Sequence, residues 1–321
     1  MNFRMSDLFK SSDSRYTLKT AFMITLVPVL MLAFIIYSLW IMLILNISYF
    51  ASNGIPLDAQ YRDAFFSYLL RNQVDYLPYL GLFFVTVFFV GIFIAYLVLR
   101  SFNQLAEASD HLLLNDEKNI SISGLSNQKL LIKLSLFIKE YCDSQKSGKK
   151  VSIPKYIEDI KGPALDWVFY FQFFCLIGIL MAVTVVGINM FTTQLNESII
   201  QSAVSMLKTK KGMQTFFSSQ QEILDFILLV PTILSCLIYI LIGKAIISRI
   251  EGVTFAYVRD IRDLARGNKG IRLKPRSDDP GQQAALAINK LLDQLHPEFT
   301  VNKVKATTNE EPEIDIIPEK A

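Results

Sequence analysis

Two histidines in 321 residues leave almost nothing from which to build a metal site or a histidine-based acid–base pair. His111 and His296 have no Cys/His ligand spacing around them, and both read as solvated surface groups. Cysteine is as scarce, with three in the chain. Cys175 and Cys236 fall inside long apolar runs and Cys142 in a polar segment, which excludes a disulfide framework and leaves each as a small apolar filler. No phosphate-cradling glycine loop, kinase signature set or serine elbow is present. The expectation is therefore a protein that is not an enzyme and takes no cofactor and no metal. Net charge is also small, +3, so nothing points to nucleic acid as a partner.

What the chain has instead is apolar length. Slightly over half its residues are apolar and its mean hydropathy is positive. Four runs are long enough to cross the roughly 30 Å apolar core of a bilayer, which takes about 20 helical residues: 21–50, 77–99, 167–195 and 226–247, the last reaching its full length if Lys244 snorkels. None of the four holds an Asp, Glu, Lys, Arg or His in its interior, the fourth being free of them from Phe226 to Ile242. Proton-coupled transporters place such groups there despite their cost, so their absence argues against ion coupling and leaves only a passive channel or transporter among transport functions.

The basic residues fix the topology. Arg4, Lys10, Arg15 and Lys19 precede the first run. Lysines fill the segment between the second and third, and Arg249 through Arg276 follow the fourth. By the positive-inside rule these regions are cytoplasmic, which places both termini inside and leaves two short outside loops. The first run is too long for the apolar part of a cleaved signal peptide and is expected to stay as an anchor.

The expected architecture is an all-α membrane protein, with four transmembrane helices in two helical hairpins and cytoplasmic helical pairs after spans two and four. Along the chain this gives a cytoplasmic N-terminal segment (1–20), the first span (21–50) and an outside loop with an interfacial helix (51–76) striped by Leu57, Tyr61, Phe65 and Leu69. The second span (77–99) leads into a helical pair (100–143) and a basic linker (144–166) whose lysines suit either anionic lipid headgroups or a solvated segment kept inside by its charge. The third span (167–195) continues as an outside helical turn (196–225), with Lys210-Lys211-Gly212 as the reversal. Span four (226–247), a second cytoplasmic pair (248–295) and an acidic tail without periodicity (296–321) complete the chain. Pro28 and Pro231 are expected to bend their spans.

Within 248–295, one helix carries an apolar stripe at Ile250, Val253, Tyr257, Ile261 and Leu264, and a second at Ala284, Ile288, Leu291 and Leu295, in the alternating steps of bundle-forming helices. Leu264-Ala265-Arg266-Gly267 ends the first helix, Ile271 and Leu273 anchor the connector, and Asp279 precedes Asn289. Together these resemble a HAMP module, the small relay domain of bacterial membrane receptors and histidine kinases, though Pro280 stands where the family usually has Glu. The resemblance implies a parallel four-helix bundle with alternative packings, usually made by two chains.

The segment after span two repeats the pattern. Leu130, Leu134, Phe137 and Tyr141 step like the second stripe, Ile120 and Ile122 sit like Ile271 and Leu273, Leu113 falls opposite Leu264 and Phe102 opposite Val253. A duplicated span-span-HAMP-like unit is therefore expected, its first copy degenerate, so that the bundle forms either in a homodimer or as an internal pseudo-dimer. The function this implies is non-enzymatic signal transduction or regulation in the bacterial inner membrane, relaying a membrane-derived change to a cytoplasmic or membrane protein partner, with membrane lipid around the spans. The alternative is a four-span structural or assembly subunit that does not switch. In the tail, Glu313-Ile314-Asp315-Ile316-Ile317 is a candidate docking motif.

Overall fold

A computed structural model of the chain describes residues 13–52, 63, 67, 77–114, 129–148, 151–160, 162, 167–207 and 211–297. Every regular element among them is a helix: α1 (Ser14–Ser52), α2 (Leu77–Leu113), α3 (Lys129–Lys146), α4 (Lys155–Glu158), α5 (Trp167–Leu207), α6 (Lys211–Ala265) and α7 (Gln282–Leu295). The apolar runs of α1, α2, α5 and α6 are long enough to cross a membrane. Their backbone groups are bonded within each helix, which suits segments that find no water in a bilayer. The stripe expected at Leu57, Tyr61, Phe65 and Leu69 lies outside the described residues, as do Ile120, Ile122 and the tail from residue 298.

The helices divide into two compact units. One holds residues 15–96 and 170–248, the apolar parts of α1, α2, α5 and α6. Small residues allow its closest approach, a device common in lipid-embedded bundles. A Cβ at Gly91 would stand 2.8 Å from Ala21 Cα, whereas one at Gly243 would make ordinary contacts with Phe174, at 3.5 Å, and Ile177. Met31, Ile35, Leu39, Ile188, Leu224 and Leu228 form a buried cluster, with Phe83 packed against it. Polar pairs cross the same unit. Asn46 Nδ2 donates to Gln220 Oε1 at 3.0 Å and Gln220 Nε2 donates back to Asn46 Oδ1, so the two amides satisfy each other. Thr184 Oγ1 and Tyr239 OH are 3.0 Å apart.

Of the described residues, the other unit holds those within 13–14, 97–169 and 249–297, so it takes helical residues from both halves of the chain. α2 and α6 run without interruption from an apolar stretch into this unit's residues.

Burial repeats between the halves. In α2, Ile94, Ala95, Val98, Ser101, Phe102, Leu105, Ala106 and Ser109 are buried; in α6, Ile246, Ile247, Ile250, Val253, Thr254, Tyr257, Val258 and Ile261 are buried in the same succession of steps. Upstream the same register pairs Val87 with Tyr239 and Gly91 with Gly243. In α1, Tyr16, Thr20, Ile24, Val27, Met31, Ile35 and Leu39 follow the same steps as Phe169, Phe173, Ile177, Leu180, Thr184, Ile188 and Thr192 in α5. The glycines' neighbours correspond in the same register, Ala21 falling opposite Phe174, although only the Gly91–Ala21 approach is tight. This register puts Phe102 opposite Thr254, one residue on from Val253, because burial follows the helix face, and Thr254 can occupy it with its hydroxyl donating to the Ile250 carbonyl at 2.8 Å, where hydropathy alone selects Val253. For α3 and α7 the sequence register stands: Leu131, Leu134, Phe137, Ile138 and Cys142 answer Ala285, Ile288, Leu291, Leu292 and His296.

Three further differences from the sequence expectations concern the helix start, the reversal before α6 and the linker. The first helix begins at Ser14, seven residues before the expected start of the first span, with Asp13, Thr17 and Thr20 already buried. Lys211 and Gly212 belong to α6 and do not form a turn. The basic linker is docked: Ile157 of α4 is fully buried, Tyr156 OH donates to Glu140 Oε2 at 3.4 Å, and Arg262 Nη1 donates to the Ile160 carbonyl at 3.3 Å.

Candidate functional site

The candidate site is the start of α7 and the connector that delivers it. α6 ends because Gly267 takes φ +110°, a left-handed conformation that costs glycine little. Gly267 N–H donates to the Leu264 carbonyl and Asn268 N–H to the Asp263 carbonyl, the paired bonds of a Schellman C-cap that use carbonyls left over at the helix end. Leu264 is buried just before this stop, while Gly267 is exposed.

The connector is fastened by one side chain. Leu273 N–H donates to Asn289 Oδ1 at 2.8 Å, and Asn289 Nδ2 donates to the Leu273 carbonyl at 2.9 Å. A carboxamide offers one donor and one acceptor side by side, so it can pair with a backbone residue as a neighbouring strand would. Leu273 is thereby held with its side chain buried, while Ile271 is half-buried. Arg272 Nε reaches Asp293 Oδ1 at 2.7 Å and adds an ion pair on the same helix. Asp279 is half-buried and closes the connector's last turn, its Oδ2 accepting from Arg276 N–H at 3.1 Å.

At the start of α7, Gly281 adopts φ +87° and has no side chain with which to cap the helix. Asp13 supplies the cap. Its Oδ1 accepts from Gln282 N–H at 2.8 Å and its Oδ2 lies 3.5 Å from Gln283 N. Burial pushes the Asp13 carboxyl above its ordinary value, against the lowering effect of these backbone donors. Tyr257 OH donates to the Gly281 carbonyl at 2.8 Å, and the Tyr257 ring meets Phe102 edge-on with centroids 6.3 Å apart. Phe102 also fills the space beside Gly281, where a Cβ would come within 2.5 Å of its ring. Phe102 from the first half and Tyr257 from the second thus meet at one glycine. At the other end of α7, Tyr141 OH lies 2.7 Å from His296 Nε2, with the rings in edge contact. His296 is buried and pairs with a phenol, where the sequence suggests a solvated tail residue. Burial also lifts the Tyr141 hydroxyl and the neighbouring Cys142 thiol, each to about 12.

The remaining sequence-selected residues are placed as follows. Val253, Tyr257 and Leu291 are buried and Leu295 is half-buried; in the first half Phe102, Leu134, Phe137 and Tyr141 are buried, and Leu113 and Leu130 are half-buried. Sequence reasoning misses Asp13, Gly281 and Ile157. A glycine directly before a helical stripe was the available signal, because such a start needs its cap from elsewhere. Among the described residues, no group of three or more His, Cys, Asp or Glu side chains could hold a metal ion. Compared with protein-family models, with curated proteins and with solved structures, the chain matches none. The contacts join backbone, amide and aromatic groups, which suits them to holding helices in a defined packing.

Proposed function

We propose that the chain is a non-enzymatic signal-transduction or regulatory protein of the bacterial inner membrane, in which two HAMP-like helical pairs within one polypeptide make one four-helix relay bundle. The observation that carries this reading is the meeting of Phe102 with Tyr257 and Gly281, contacts between equivalent halves inside one compact unit. The repeated burial register and the Asn289 clasp on Leu273 support it. On this reading the chain is an internal pseudo-dimer of two span-span-helix-pair repeats and needs no second copy to complete its bundle.

The relay works through helix continuity. α2 and α6 each carry an apolar stretch and a bundle helix in one unbroken element, so a tilt or rotation of the apolar part reaches the bundle without crossing a flexible joint. Each tenfold change in the ratio of two bundle packings takes about 1.4 kcal/mol of differential interaction, within reach of a modest bilayer change acting on several helices. The output passes to a partner protein that binds the bundle or the acidic tail.

A static assembly subunit is the second reading, and the docked linker at Ile157 favours it, because a bundle braced by a third element resists repacking. The test uses full-length protein with Cys142, Cys175 and Cys236 replaced. A Phe102→Cys/Tyr257→Cys pair is oxidised in bilayers of two thicknesses. The relay reading expects an intrachain disulfide whose rate of formation differs between the bilayers. Equal rates favour the static subunit, and efficient interchain crosslinking of Leu291→Cys contradicts the one-chain bundle.

A further inference from the structure

We infer that Asp13 is a conformational latch, through which the first apolar helix controls the terminal bundle helix α7. This deepens the relay reading and rests on it. The covalent arrangement is the first reason. Asp13 immediately precedes Ser14, the first residue of α1, so the carboxylate travels with the cytoplasmic end of that helix. Yet the backbone N–H groups of Gln282 and Gln283 that it faces lie 269 and 270 residues away in the other half of the chain, with Gly281 beside them adding to the same backbone donors.

The second reason is that α7 has no cap of its own. Its first free N–H groups need an acceptor, Gly281 offers no side chain, and Asp279 is engaged with Arg276. Tyr257 and Phe102 fix Gly281 itself, one through its carbonyl and one through its open face. The backbone before α7 is therefore held by Tyr257 and Phe102, and the helix start is completed by Asp13. One contact is already long, 3.5 Å to Gln283 against 2.8 Å to Gln282, so a displacement on the order of an ångström carries Asp13 beyond hydrogen-bond reach of both. Loss of the cap frays the first turn of α7, while Asn289, two turns further along the helix, still clasps Leu273.

The first half thus acts on the second through a polar contact that breaks over a short distance, alongside the apolar packing of Phe102 on Tyr257. Apolar contacts slide with little change in energy, whereas a buried carboxylate either keeps its donors or loses them. This makes Asp13 a positioning residue for α7, with a discrete released state.

The experiment measures amide hydrogen exchange of Gln282 to Leu286 in the full-length protein, in nanodiscs of a shorter- and a longer-chain phosphatidylcholine. In the wild type, protection of this turn is expected to differ between the two bilayers. Asp13→Ala is expected to exchange roughly two- to thirty-fold faster there, the range for a lost N-cap, and equally in both. Asp13→Asn keeps an acceptor oxygen and is expected to retain the bilayer dependence, which holds the test open if Asp13→Ala does not fold. Bilayer dependence that persists unchanged in Asp13→Ala, or is lost in Asp13→Asn, overturns the latch while leaving the relay standing. Absence of any bilayer dependence across the bundle helices in the wild type overturns the relay and the latch with it.

Discussion

Asp13 Oδ1 accepts a 2.8 Å hydrogen bond from the backbone N–H of Gln282, so a residue at the threshold of the first helix caps the last one. Its carboxyl is raised above the ordinary value of 3.8, chiefly by burial. The folded state therefore holds this proton to higher pH than the unfolded state. The stability this contributes is fully present below the unfolded pKa and is lost as pH rises through the folded one. Asp13→Asn removes that loss while keeping an acceptor. Its melting temperature relative to wild type is expected to be higher at pH 8 than at pH 4, as measured by thermal unfolding in detergent.

Asn289 makes two hydrogen bonds to one backbone residue, and Ala in its place leaves the Leu273 N–H and carbonyl both without that partner. The cost is expected to be about 2–3 kcal/mol by denaturant titration. Asp293→Ala removes the partner of Arg272 at a site where the carboxylate is 43% exposed, and is expected to cost less than about 1 kcal/mol. The order of the two effects is the test.

The paired glycines separate by their neighbours. Gly91→Ala drives a methyl group toward the Ala21 backbone, which cannot rotate aside, and is expected to cost about 1–3 kcal/mol. Gly243→Ala meets the side chains of Phe174 and Ile177 at ordinary contact distance and is expected to stay within about 0.5 kcal/mol of wild type. Reversible unfolding in mixed micelles reads both.

Cys142 is buried, with its thiol raised to about 12. It is expected to resist a water-soluble maleimide at pH 7 in intact membranes and to react once the protein is denatured. Prompt labelling of the native protein would mean that α3 opens locally.

These contacts also separate what is legible in the amino-acid sequence from what is not. The helical class and the four membrane-length runs follow from apolar length and the absence of interior charge. The stripe from Ile250 to Leu264 is visible because packing in a bundle demands its spacing. Asn289 and Leu273 stand out through a family resemblance, but their hydrogen bonds do not, since an amide's partner depends on where the chain returns. Asp13 and His296 are hidden for the same reason. Each sits in a polar stretch at the edge of a helix, and each is buried by residues far away in sequence. The one-residue shift of Phe102 arises because hydropathy selects Val253, whereas the matching buried position is Thr254, a polar residue whose hydroxyl donates to the Ile250 carbonyl and so can be buried.

One chain closing the bundle, with a packing that answers the membrane, is the central claim. Spin labels at Leu136 and Leu286, exposed positions on α3 and α7, report on it directly by pulsed dipolar spectroscopy of full-length protein in nanodiscs, with the native cysteines replaced. The prediction is an intrachain distance with two populated components, unchanged by dilution with unlabelled protein, whose proportions shift between thinner and thicker bilayers. A single distance that is the same in both bilayers would contradict it.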